Sequence, residues 1–269
     1  MKTKKTEYSK EHKQYLKKIN TKKYSILITQ IGIIVVLIGL WELLTTIGVL
    51  DVFFFSSPSR IIKQIGVLYE AGNLFTHIGT TLLEALIAFV VSVGIGFVMA
   101  VLLWWSDYLR RVIEPYLVVL NSLPKIALGP IIIIWFGTGA KAIIIIAFLI
   151  MIVITIMDLL LSFTSVDKEK VLLLESLGAT KWQVLTKLVL PNSLKDFISV
   201  LKINVGMTWV GVIMGEYLSS KAGIGYLLVY GGQVFKLDLV MASIVILCIL
   251  SGVMYGIISI FERIVIKKR

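Results

Sequence analysis

Six long apolar runs dominate the chain, and the short stretches between them hold nearly all of its charge. A helix needs about 20 mostly apolar residues to cross the hydrocarbon of a bilayer. The runs therefore predict transmembrane helices at residues 26–50, 78–105, 112–136, 142–163, 197–218 and 239–261. The second is long enough to tilt or to reach past the lipid. The third contains Pro124, Gly129 and Pro130, which interrupt the hydrogen-bond ladder of a straight helix.

Two connections are long enough to hold structure. In residues 51–77, Ser56, Ser57, Pro58 and Ser59 form a capping sequence before an amphipathic pattern at 60–69, and Gly72-Asn73 ends it. In residues 164–196, two short helical patterns, 168–177 and 181–190, meet at Gly178-Ala179-Thr180. The second pattern puts Trp182, Leu185, Leu188 and Val189 on one side. Gly178 can adopt the backbone that ends a helix in a sharp turn. Thr180 can cap the next helix, and Pro191 is expected to stop it. The product is a compact helical elbow.

Composition agrees with a membrane solvent. The 269 residues are 58% hydrophobic and 16% charged, with mean hydropathy +0.93. Soluble domains carry about 25% charged residues. The expected class is an all-α integral membrane protein with about six transmembrane helices.

The net charge of +11 does not form a nucleic-acid-binding face, because basic residues sit at the ends and in short connections. With the N-terminus inside, the tail, 106–111, 164–196 and the C-terminal end hold twenty Lys and Arg, against five on the other side. This bias predicts both termini in the cytoplasm and puts the elbow there too. Residues 1–24, with nine lysines, read as a basic cytoplasmic tail rather than a cleaved signal peptide. Residues 25–269 read as one membrane domain.

Candidate chemistry is sparse. Cys248 stands alone, and His12 and His77 lie far apart, so neither a disulfide nor a metal site is expected. There is no GxxxxGK[ST] phosphate loop, HExxH or nucleophile elbow, so the chain is expected to have no catalytic residues and to bind no ATP or Mg itself.

The elbow resembles the permease subunits of bacterial ABC importers, the binding-protein-dependent inner-membrane components. Their signature runs from an acidic-alanine start to a Gly, nine residues, an aliphatic residue, any residue, then Leu-Pro. Gly178, Leu188, Leu190 and Pro191 match that spacing. Leu172-Leu173-Leu174 stands where Glu-Ala-Ala is usual, with the acid displaced to Glu175. Asn121 to Pro130 with the following Ile-rich run to Gly139, and Gly206 to Glu216 with Gly223 and Gly225, are similar to the nitrate, sulfonate and taurine subgroup. The similarity covers roughly residue 58 to the C-terminus.

The resemblance implies a type I ABC importer membrane domain in the bacterial plasma membrane. It implies a second permease copy, two cytoplasmic ATPases holding ATP and Mg, and an extracytoplasmic binding protein. The implied ATPase-coupling residues are Leu172, Leu174, Glu175, Gly178, Ala179, Trp182, Leu185 and Pro191. A secondary transporter with no ATPase is the alternative that six helices alone would allow.

Polar groups in lipid are costly and usually face protein or a water-filled path. Asn121, Ser122, Pro124 and Lys125 in the third run, and Asn204, Thr208 and Trp209 in the fifth, are the candidates for a translocation pathway. Lys125 could attract an anion, snorkel to the surface or pair with an acid. Glu84 is expected to serve helix packing or to pair with a lysine, and Glu216 to cap the fifth helix or organise an outer gate. Gly94, Gly96, Gly206 and Gly211 permit close helix approach.

Overall fold

The computed structural model describes residues 10–267, without the side chains of residues 10–14, 16, 17, 20, 23 and 267. The lysines expected in the tail at positions 2, 4 and 5, and Lys268 and Arg269, lie outside the described residues. Among those described, every regular element is helical. In chain order they are α1 (Lys10–Thr46), α2 (Val52–Phe55), α3 (Pro58–Glu70), α4 (Leu74–Trp105), α5 (Asp107–Ser122) and α6 (Gly129–Phe136). There follow α7 (Ala140–Thr164), α8 (Lys168–Ser176), α9 (Lys181–Val184), α10 (Leu190–Asn192), α11 (Leu194–Ser219), α12 (Ile224–Gln233) and α13 (Leu237–Lys267).

Contacts divide the chain into two units with the boundary after Lys63. No Gly or Pro occurs between Lys10 and Gly32, so the described part of the basic tail runs without a break into the apolar span Tyr24–Thr46. Within this first unit, Ser59 donates from its N–H and hydroxyl to the Glu42 carboxylate at 3.0 and 2.7 Å. The expected capping sequence starts α3, where the Arg60 N–H reaches the Ser57 hydroxyl at 3.4 Å.

The second unit is built on α4, α7 and α11. Helix α4 is apolar all round and is patterned by size. Thr81, Ala85, Ala88, Ser92, Gly96 and Ala100 recur every three or four residues and are buried, while Leu83, Leu86, Val90 and Val98 are exposed. In lipid no hydrophobic force pulls helices together, so small residues that let backbones approach mark the packed face. Helix α7 is the most deeply buried span. A Cβ on Gly96 would lie 2.6 Å from Thr155 Cγ2, and one on Gly211 2.6 Å from Ala147 Cα. Both helices therefore press directly on α7.

The pairings also give direction. On α4 and α7, Ala85 and Ala88 share a cluster with Ile143 and Ala147, Gly96 meets Thr155, and Ala100 joins Leu159 and Phe163. Numbers rise together, so α4 and α7 run parallel. The α5–α6 segment must then carry the chain back to the end where α4 began. The third predicted span, expected as one helix at 112–136, is instead bent by 85° between Asp107–Ser122 and Lys125–Phe136. Pro124 lacks an N–H and pushes Leu123 into an extended conformation (ψ 138°). The bent pair is a broken span, and with five unbroken candidates it gives the expected six.

Helix α11 opposes α7, because Gly215 meets Ile143 and Gly211 meets Ala147. It also opposes α13, because Lys202 pairs with Glu262 at 2.6 Å. The elbow, the end of α4 and the end of α13 thus share one side of this unit.

Candidate coupling elbow and pathway residues

The elbow between α7 and α11 is assembled from local capping. Asp167 caps α8 by accepting from the Glu169 N–H at 2.9 Å. At the other end Gly178 takes φ +83°. Its N–H donates to Glu175 O at 2.9 Å, and the Ala179 N–H reaches back to Leu174 O at 3.0 Å. These two bonds form a Schellman motif, which satisfies carbonyls that α8 would otherwise orphan. Thr180 then opens α9 with a reciprocal capping box: its N–H donates to Gln183 Oε1 at 2.8 Å, and its hydroxyl accepts from the Gln183 N–H.

Pro191 does not stop this second helix. A π-turn at Leu185–Val189 follows α9, and Pro191 sits at the start of α10, with the break displaced to Ser193. The wider turn relieves the clash between a proline ring and the carbonyl four residues earlier.

The expected coupling residues divide by environment. Leu185 is 1% exposed and, with Val184 and Val189, packs against Ala100, Leu159, Phe163 and Val200. Leu174 and Ala179 lean on the same cluster. By contrast, Leu172 and Trp182 are 66% and 61% exposed, and Leu173 and Leu177 lie open beside them. Trp182 therefore does not share a face with Leu185, as the helical pattern had predicted. Glu175 lines a shallow groove with Arg110, Lys168 and Leu172. Lys181 donates to the Trp105 carbonyl at the C-terminus of α4, its ammonium 5.8 and 5.7 Å from the Trp104 and Trp105 rings. A cation there complements the negative end of α4.

The pathway candidates fall into two different settings. Asn121, Ser122, Pro124 and Lys125 cluster at the break in the third span and are exposed or half-buried. The Lys125 ammonium donates to Asn121 Oδ1 at 3.3 Å. Asn204 and Thr208 are fully buried within the subunit. Asn204 Oδ1 accepts from Thr155 at 3.1 Å, and Thr208 donates to the Asn204 carbonyl at 2.7 Å. These two residues join α11 to α7 and do not wall an open path in this conformation, because buried polar groups in a membrane domain seek each other. Trp209 is buried in a cluster with Ala147, Val205 and Val212 and also lines a groove of about 550 Å³ with Lys202, Gly206, Ser251 and Tyr255.

One polar cluster was not assembled from the sequence. Helix α12 has Gly223 at its N-cap, so its first N–H groups lack a side-chain cap of their own. They are capped from α4 and α11. Gly223 donates to His77 Nδ1 at 3.0 Å, Ile224 to the Thr81 hydroxyl at 2.8 Å, and Gly225 to Glu216 Oε2. Glu84 packs between the helices and meets Glu216 here, not a lysine. The G-x-G at 223–225 was the available signal: a Cβ at either glycine would collide with Glu216.

Residues 92–268 match the model of the family described as binding-protein-dependent transport system inner membrane component. The chain is 24% identical over 226 residues to the taurine transport system permease protein TauC of Escherichia coli (strain K12), covering 82% of each. It is 28% identical over 217 residues to the formylaminopyrimidine transport permease protein ThiX of Halalkalibacterium halodurans, covering 81% of this chain and 86% of that one. The inward-facing MetNI methionine ABC transporter contains a chain that superposes with TM-score 0.60 at 18% identity, over 72% of this chain and 95% of that one. That last likeness establishes the fold.

Proposed function

The chain belongs to the inner-membrane components of binding-protein-dependent transport systems, and from that premise we propose that it is the membrane-spanning permease of an ATP-driven importer for a small anionic or heterocyclic solute. An extracytoplasmic binding protein delivers the solute. Two ATPase subunits, which carry the ATP and Mg, grip the elbow of each of two permease copies from the cytoplasm. The chain itself is not an enzyme. The names of its relatives, a taurine and a formylaminopyrimidine permease, support the range of solutes.

One observation carries the reading. The elbow is apolar on both sides, rooted inward through Leu185 and open outward through Leu172 and Trp182. Exposed apolar patches on a polar-side surface mark interaction sites. Because the inner side is packed like a solid, a push on the outer side moves the ends of α4, α7 and α11 together. A secondary transporter needs no such two-faced lever.

Reconstitution tests the function. Proteoliposomes holding this chain with its co-expressed ATPase and binding protein should accumulate solute only when ATP is supplied on the elbow side. Uptake driven by an ion gradient, with no ATPase present, would establish the secondary transporter instead.

The turn at Gly178 supplies a graded check. Nothing lies within 4 Å of a Cβ placed there, so only the backbone conformation at φ +83° resists substitution. Placing an L-residue in that region costs roughly 1–2 kcal/mol, and Asn tolerates it best. ATP-driven uptake should fall in the order Gly, Asn, Ala, Val, reaching about tenfold loss if some 1.4 kcal/mol of strain swings α8 off its seat. Equal uptake across the series would show that the orientation of α8 does not transmit force.

A further inference from the structure

At the end of the second unit opposite the elbow, Glu84 on α4 and Glu216 on α11 are 2% and 1% exposed. Their carboxyl groups lie within hydrogen-bonding reach of one another. Glu84 Oε2 and Glu216 Oε1 are buried with no donor among the described residues. An ionised carboxylate only accepts, so two of them in contact leave both oxygens orphaned and two like charges adjacent in a site shut off from water.

Three occupants could resolve this: a basic side chain, a metal cation or a proton. The surroundings contain no ammonium or guanidinium in contact with the pair among the described residues. The remaining titratable groups facing it are His77 from α4 and Tyr226 from α12, whose rings stack at 6.0 Å. His77 accepts through Nδ1 and so is neutral there. From α7 the neighbouring contact is the apolar Ile143, against Gly215. A metal cation is disfavoured by the N-terminus of α12, whose Gly225 and Tyr226 N–H groups point at Glu216. That positive end favours an anion on Glu216.

We propose that Glu84 carries a proton and donates it to an ionised Glu216, and that this shared proton clasps the N-terminus of α12 to α4. One proton supplies the donor that the pair lacks and removes one of its two like charges. Glu216 faces the helix terminus and keeps the charge; Glu84 faces no backbone donor and keeps the proton. The clasp is independent of the ATPase reading, since it lies at the other end of the unit. Glu84 and Glu216 are positioning residues here, holding the start of α12 in place.

Infrared spectroscopy of the assembled transporter in lipid nanodiscs, in D2O at neutral pH, tests this directly. An Asp158→Asn background removes the half-buried acid of α7 from the spectrum. Glu84→Gln should delete one protonated-carboxyl C=O band. Its amide still donates to Glu216, so α12 stays docked and uptake persists, whereas Glu84→Ala, with no donor, should lose uptake. Glu216→Gln should delete a carboxylate band instead. Loss of a carboxylate band in Glu84→Gln would overturn the proposal. If the variants do not fold, the wild-type chain decides: with no protonated-carboxyl band at neutral pH, the clasp does not exist. Raising the pH should remove that band in the wild type and lower its melting temperature. Replacing Na+ by K+ should change neither; a Na+-dependent melting temperature would put a metal ion in place of the proton.

Discussion

Gly211→Leu should leave little folded protein in the membrane, whereas Gly94→Leu should be tolerated. Both glycines sit in apolar runs, and their surroundings separate them. Nothing lies within 4 Å of a Cβ at Gly94. At Gly211 a Cβ would stand 2.6 Å from Ala147 Cα and 2.9 Å from Ala147 Cβ, and one turn later Gly215 would meet Ile143 Cα at 2.9 Å. A flexible side chain could swing aside, but a helix backbone cannot. The α7 and α11 axes must then separate, and the bonds from Thr155 to Asn204 and from Thr208 to Met151 go with them. Overpacking costs about 1–3 kcal/mol where local adjustment is available. Here the obstacle is main chain, so the cost should exceed that range. Size-exclusion profiles of detergent-solubilised variants read the outcome. A monodisperse Gly211→Leu protein would mean that α7 and α11 are not packed in this way.

The same pair of glycines shows what could be read from the chain. Apolar length identified the spans, and the charge bias put the elbow, the end of α4 and the end of α13 together, as the second unit does. Close approach was expected equally of Gly94, Gly96, Gly206 and Gly211. Only Gly96 and Gly211 face a neighbour, because in a uniformly apolar helix nothing in the sequence marks which stripe faces protein and which faces lipid. The 85° bend falls at Leu123-Pro124, between Ser122 and Lys125, while Gly129 and Pro130 lie beyond it at the start of α6; the sequence offered three breakers without saying which one turns the chain. The Schellman turn and capping box at 174–183 were legible because capping is local. The meeting of Glu84 with Glu216, 132 positions apart in sequence, was not, since a buried acid announces a need for a partner without naming it. Asn204 and Thr208 are ambiguous for a related reason: a polar residue in an apolar run can serve a path or an interhelical bond, and here both bond across to α7, at Thr155 and Met151.

Placing a carboxylate on the outward side of the elbow should uncouple it without unfolding it. Leu172 and Trp182 present open apolar surface and leave the inner cluster alone. Their replacement by Glu removes nothing from the packing of Val184, Leu185 and Val189. If an ATPase subunit covers them, each new charge is buried without a partner. Central apolar anchors of an interface are typically worth 2 kcal/mol or more on truncation, so each variant should weaken the complex by about thirtyfold. Leu185→Ala supplies the contrast. It hollows a site with 1% exposure and should cost about 2–5 kcal/mol of stability, lowering the melting temperature of the permease alone. Leu172→Glu and Trp182→Glu should instead leave that melting temperature unchanged and abolish both co-purification of the ATPase and ATP-driven uptake. Should both variants retain the ATPase at wild-type levels, its seat lies elsewhere, and the exposed leucines and tryptophan would belong to the lipid surface, where Trp is also at home. Separating the two variant classes by melting and by pull-down thus assigns each face of the elbow, the inner one to the body of the permease and the outer one to its motor.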